Sequence, residues 1–353
     1  MVRLKDIAAR AGVSIMTVSK ALRDAPDVSA ATRARLKQLA QQLGYVPDSS
    51  AQGLRTRTTK IFGLVISAST DPTFARLVLA LEERAHELGY DLLLMHSLNQ
   101  VEREEACLRR LLARRVDGLF VAPVYRMAPE ARIYQELHTC GTPTVLLGHP
   151  ARFCAQFTSM AVDDTPASEA ATRHLLELGH RRIAYLAGPL AAPWAQARFE
   201  GYRRALRGAG LEADERLVFQ AGSNVEDGVN AALQMINEGC DATAVQTATD
   251  LVAIGFADTC LNQSLRIPTD LSVVGFGNVL ASEYFRVPLT TLRQPKYLLG
   301  LAAMDAMLQL LRHERPDSKR LPAELILRAS TGAPAPAAPF AHAAAPQSQT
   351  PRM

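Results

Sequence analysis

At 353 residues the chain is long enough for two or three domains, and 48% apolar with 21% charged residues is ordinary globular composition with ample core material. No run approaches the roughly 20 apolar residues that span a bilayer, and the charged residues 1–10 lack the apolar centre of a signal peptide. Cys107, Cys140, Cys154, Cys240 and Cys260 are scattered and never form a C-x-x-C pair, which argues against a disulfide framework or structural zinc. A reducing cytoplasm, with no membrane, metal or cofactor, is the expectation. The net charge of +4 conceals an asymmetry. Residues 1–60 hold eleven basic against four acidic residues, a balance of +7, whereas the remainder holds 28 against 31, a balance of −3. A basic arm on a mildly acidic body suits a polyanion-binding module joined to something else.

The first zone, residues 1–45, reads as short helices. Leu4 to Ala11 presents Ile7 and Ala11 on one face and breaks at Gly12. Ser14 caps a second helix whose buried stripe is Val18, Ala21 and Leu22. Ser29 caps a third, with Leu36, Leu39, Ala40 and Leu43 at core spacing and Gly44 as its stop. Residues 46–60 form a basic linker opening at Pro47, with room for one short helix around Ala51 to Leu54 that is too short to stand alone. From Ile61 the apolar runs FGLVI, DLLLM, DGLFVA and PTVLLG alternate with helical stretches. After a break near 150–160, RIAYLAG, ATAVQT and LSVVGF resume the rhythm. Strands buried on both faces and separated by helices imply two doubly wound parallel α/β lobes, over residues 61–332, with a cleft between them. Residues 333–353, with eight Ala and five Pro, are expected to be a disordered tail.

A helix, a Gly-containing turn and a Ser-capped second helix make the helix-turn-helix pattern. Val18 and Leu22 anchor the second helix. Ser14, Thr17 and Ser19 offer short hydroxyls to phosphates, and Ser29 and Thr32 are candidate contacts at the start of the third helix. Ile15, Met16 and Lys20 project where base edges would lie, the lysine toward guanine O6/N7 and the apolar pair toward thymine methyls. A generic three-helix core is the alternative, but exposed Ile15 and Met16 are hard to justify on a solvated surface.

The run LKDIAARAGVSIMTVSKALRDAPDVSAATRARLKQLAQQLGYVPDSSAQGLR resembles the N-terminus of a LacI/GalR-family transcriptional regulator. ELGHRRIAYLAGP, Arg198-Phe199-Glu200-Gly201-Tyr202, IPTDLSVVGF and PLTTLRQP follow in that family's order, so the likeness spans residues 2–332. It implies an all-α DNA-binding domain on a periplasmic-binding-protein-like core, a homodimer reading a pseudo-palindromic double-stranded operator, and a small-molecule effector between the lobes. It also implies that the linker folds on DNA into a hinge helix, with Leu54 wedged into the minor groove and Ala51 beside it. Asp48 stands where the family usually has Asn.

For the cleft, the resemblance points to Asp71 and Phe74 in an Asn-Pro-x-Phe-like loop, to Asp164 and Asp250 at strand ends, and to Arg198 as a ligand-binding guanidinium. Thr249 replaces the usual Asn, and Gly277-Asn278 stands where an Asp that accepts sugar hydroxyls is usual, leaving Asn278 as a candidate contact. Trp194 is either a stacking surface or a packing residue, and Asp250 either a ligand contact or a helix cap. Without the Asp at 277, a sugar acid facing Arg198 is expected in preference to a neutral hexose. A solute-binding protein with the same core would have a secretory signal and no basic arm. An enzyme would show a G-x-S-x-G, a P-loop or paired metal ligands, and the chain has none. His180 is read as structural rather than catalytic.

Overall fold

The structure, a computed structural model, describes residues 2–46, 58–334 and 340. It divides into two compact units, Met1–Thr59 and Lys60–Met353. The first contains α1 (Leu4–Ala11), α2 (Ile15–Ala21) and α3 (Ala30–Gln42). Gly12 and Gly44 end α1 and α3 with φ of +66° and +67°, a region that costs other residues more. Ile7, Val18, Ala21 and Leu36 are fully buried and tie the three helices together. The helices are locally encoded, and the small shared core fixes their mutual arrangement.

The second unit holds two six-stranded sheets. The first lobe is built from β1 (Ile61–Ile66), α4 (Pro72–Glu87), β2 (Asp91–His96), α5 (Val101–Ala113), β3 (Gly118–Val121), α6 (Arg132–Thr139), β4 (Thr144–Leu147) and β5 (Thr158–Val162). The second contains α7 (Asp164–Glu177), β6 (Ile183–Ala187), α8 (Pro193–Gly208), β7 (Val218–Gln220), α9 (Val225–Asn237), β8 (Ala244–Thr247), α10 (Asp250–Asn262), β9 (Ser272–Gly277), α11 (Leu280–Tyr284) and β10 (Thr290–Arg293). The chain then returns to the first lobe through α12 (Lys296–Leu311) and β11 (Lys319–Leu321), and ends its sheets in the second lobe with β12 (Glu324–Ile326).

The strand orders are β11-β5-β4-β3-β1-β2 and β12-β10-β9-β8-β6-β7. Every pairing is parallel except β10 with β12. All seven apolar runs noted in the sequence coincide with strands. The expected division into two successive blocks does not hold, because α12 packs on α4 and against β3, β4 and β5 in the first lobe. Three segments therefore cross between the lobes, around 163, 294–295 and 322–323, and two of them are bonded to each other, Asp163 N donating to Leu321 O at 2.8 Å. The break expected near 150–160 holds β5, still within the first sheet.

Within the stretch expected to be a tail, Phe340 is fully buried in the second-lobe cluster with Phe256, Leu271 and Val273, where its ring leaves water. Asp48, Ala51, Leu54 and the rest of the tail beyond Pro334 lie outside the described residues.

Candidate functional site

In the N-terminal unit, Ser14 caps α2, its Oγ accepting from Thr17 N at 3.0 Å, and the two hydroxyls lie 2.9 Å apart. Ser29 caps α3 in the same way, accepting from Thr32 N at 3.3 Å. Both hydroxyl pairs thus sit at helix N-termini, where backbone N–H groups also favour phosphate. Ile15 and Met16 are 52% and 67% exposed, while Val18, three residues on from Ile15, is fully buried. Ser19 is half-buried beside Lys20. The Lys20 ammonium pairs with Asp27 and holds that carboxyl below its usual range. Both partners are exposed, so a base edge can replace Asp27 at little cost.

In the second unit, the strand ends of both lobes enclose a cavity of about 500 Å³, the size and position expected of a small-molecule site in doubly wound folds. Asp71, Phe74, Asp164, Trp194, Arg198 and Asp250 line it. Asn278 does not: it follows the strand end at a φ of +48°, and its Oδ1 accepts from Arg328 Nη2 at 2.8 Å.

A buried polar chain joins the lobes across this cavity. His149, just past β4, brings Nε2 to 2.6 Å from Asp164 Oδ2, and Arg198 Nε donates to Asp164 Oδ1 at 2.7 Å. Arg198 Nη1 also donates to Ala248 O. The guanidinium is stacked between Phe276, 3.6 Å from its centroid, and Trp194, at 4.6 Å. Arg198 and Asp164 are 6% and 2% exposed. Gly201 makes this approach possible: a Cβ there would lie 2.3 Å from Thr165 O, so only glycine lets α8 come this close to α7. Two consequences follow. Trp194 both packs on Arg198 and faces the cavity. Arg198 has its charge matched by Asp164, so the expectation that it confronts a ligand anion loses its electrostatic basis.

The opposite corner is built around Asp250. It is not a cap, since Thr249 caps α10 by accepting from Val252 N at 3.2 Å. Its carboxylate accepts from Val279 N at 2.8 Å and from the Thr291 hydroxyl, and burial pushes its pKa up. Gly277 has a φ of +144°, and a Cβ there would lie 3.4 Å from Asp250 Oδ2. Asp250 therefore places a carboxylate against the position where residue 277 has no side chain. Asp71 caps α4, accepting from Thr73 N at 2.9 Å and from the Ser67 hydroxyl at 3.3 Å.

Sequence reasoning missed Tyr125, His149, Phe276, Gln294 and Lys296, all of which line the cavity. Lys296 had a readable signal. It is the only basic residue of α12 (KYLLGLAAMDAMLQLL), an otherwise almost wholly apolar helix.

Comparison with known proteins bears on both units. Residues 3–48 match the family described as bacterial regulatory proteins, lacI family. Residues 59–329 match the periplasmic binding proteins and sugar binding domain of LacI family. The chain belongs to the LacI family. It is 31% identical over 321 residues to the ribose operon repressor of Escherichia coli (strain K12), covering 91% of this chain and 96% of the relative. Against the repressor PurR of Proteus mirabilis (strain HI4320) it is 32% identical, covering 91% and 94%. The lac repressor dimer bound to operator and the anti-inducer ONPF superposes with a TM-score of 0.83 at 29% identity, covering 94% of this chain and 99% of that one. The regulator CelR in complex with cellobiose superposes at 0.71 and 30%, covering 94% and 100%. This LacI-family protein is thus a DNA-binding transcriptional regulator with a small-molecule effector core, and no described helix is long and apolar enough to cross a membrane.

Proposed function

We propose that this regulator is a homodimeric repressor that reads its operator through Ser14, Ile15, Met16, Thr17, Ser19 and Lys20, with Ser29 and Thr32 on phosphates and Ala51 and Leu54 in the linker, and that a neutral polyhydroxylated molecule in the interlobe cavity sets its operator affinity. Its place of action is the cytoplasm, and the five free cysteines suit a reducing compartment. The observation that carries the ligand class is the pairing of Arg198 with Asp164. With that charge cancelled, the remaining lining carboxylates Asp71, Asp227 and Asp250 outnumber Lys296, and a second anion would be repelled. Hydroxyls both donate and accept, so they suit a wall of carboxylates interspersed with N–H donors. Phe74, Trp194 and Phe276 supply apolar faces for the C–H side of a sugar ring.

Coupling to DNA requires that the ligand prefer one arrangement of the lobes over another. The His149–Asp164–Arg198 chain supports this, because it joins both lobes at the cavity wall. Calorimetry with D-ribose, D-glucose, D-galactose and cellobiose against glucuronate, galacturonate and ribose 5-phosphate tests the class. A neutral sugar is expected to bind at least tenfold more tightly than its anionic counterpart. A uronate or phosphate ester that binds while its neutral parent does not would overturn the proposal.

A further inference from the structure

Lys296 is the first residue of α12, and three features of its placement are electrostatically unfavourable. It is 7% exposed, and burial pushes its ammonium pKa down. It stands at a helix N-terminus, where the aligned peptide dipoles already carry partial positive charge, and Pro295 before it supplies no side-chain cap. No hydrogen bond or ion pair among the described residues holds its Nζ. Asp250 and Asp71 act on it only through space; each accepts two hydrogen bonds, Asp250 from Val279 N and Thr291, Asp71 from Thr73 N and Ser67, and keeps lone pairs for another donor. The stem is buried while Nζ, which is not among the buried atoms left without a partner, opens to the cavity, and holding a charge in so desolvated a place costs the fold stability. A side chain kept at such a cost while it lines a cavity marks a place where an occupant supplies the missing partner.

We propose that Lys296 is a specificity-determining ligand residue: its ammonium donates to a hydroxyl oxygen of a neutral polyhydroxylated effector, and the same hydroxyl donates to a neighbouring carboxylate, Asp71 or Asp250. The assignment rests on reading the cavity as the effector site. A hydroxyl satisfies both sides of this corner at once, whereas a bare anion satisfies only the lysine and a cation only the carboxylates. Lys296 enters from the first lobe, on α12, and Asp250 from the second, on α10, so a ligand bound between them touches both lobes.

The test uses the full chain and thermal shift, with D-ribose, D-glucose, D-galactose and cellobiose as probes and Lys296→Met and Lys296→Arg as variants. Methionine keeps the length and removes the charge. In the ligand-free protein Lys296→Met is expected to raise Tm by about 2 °C or more, since it removes a charge that burial of its surroundings desolvates. A lysine held structurally by Asp250 would instead give a lower Tm, and that result overturns the assignment. At least one probe is expected to raise the wild-type Tm. The shift should be lost in Lys296→Met and partly restored in Lys296→Arg. An equal shift in wild type and Lys296→Met, or no shift with any probe, would also overturn it. Mobility-shift titration on an operator obtained by randomised-site selection separates the two readings. A Lys296-dependent thermal shift with no change in operator affinity sinks the effector reading of the cavity and leaves Lys296 as its ligand residue.

Discussion

The two units of this protein build their surfaces in opposite ways. The DNA-reading candidates Ser14, Ile15, Met16, Thr17, Ser19 and Lys20 lie on one short helix and its cap, held by the buried anchor Val18 between them. The effector cavity draws on residues from Ser67 to Leu299, contributed by both lobes. Its central ion pair joins residues 34 apart in sequence, through helices that touch because Gly201 lets them. A locally built surface can be altered one side chain at a time. A site assembled across lobes cannot, because its binding groups are also each other's hydrogen-bond partners.

The sharpest way to break this comparison is Asp164→Ala. The substitution strands Arg198 as a buried unpaired cation and takes the partner from His149, so unfolding of the second unit should become easier by about 3–5 kcal/mol. Chemical denaturation measures it, and a loss below 1 kcal/mol would show that Asp164 is a replaceable lining residue. The head should respond differently. Lys20→Ala is expected to relax preference at one base pair of each half-site, at about 1–3 kcal/mol, with Tm nearly unchanged because Lys20 is exposed. Ser14→Ala should weaken binding evenly across sequences, with a loss of helix capping of about 1 kcal/mol. Randomised-site selection with both variants decides it, and uniform loss from Lys20→Ala would reassign that residue to a phosphate.

The smallest effect is a pH dependence. His180 is buried against Thr243 Oγ1 at 2.8 Å, Ser272 Oγ at 3.1 Å and Gly332 O at 2.9 Å. Desolvation lowers its pKa from 6.5, with the Gly332 carbonyl opposing. A folded pKa below the unfolded one means that the unfolded chain takes up the proton first. The contribution to stability is therefore complete above pH 6.5 and is lost as pH falls through the folded value. Tm should be flat above neutrality and decline below it, and His180→Gln should reduce the slope without removing it, since burial lowers His174 as well. A Tm that rises as pH falls below 6.5 would contradict this.

What could be read from the chain follows the same division. Ser14, Ser29, Gly12 and Gly44 act within one turn of where they stand, so the helices of the head were legible, as were the apolar strands buried on both faces. The weaker strands β5, β7, β10, β11 and β12 were not, being short or half-polar. Asp71, Phe74, Asp164, Arg198 and Asp250, reached through motif order, and Trp194, reached as the one tryptophan just upstream of Arg198, all line the cavity, whereas Asn278 does not, because Arg328 takes its side chain, which no pattern reveals.

The sequence by itself determined the helix-turn-helix, the alternation of strand and helix, and the family, since these depend on spacing and on contacts between near neighbours. Only the tertiary structure decided the rest. The return of α12 to the first lobe sets Lys296 in the cavity wall. The closure of α8 on α7 cancels the charge of Arg198, and the end of β9 puts the carboxylate of Asp250 where residue 277 has none. Charge and hydrogen-bonding capacity belong to each residue, but whether they are spent inside the protein or left for a ligand depends on partners brought together from distant parts of the chain.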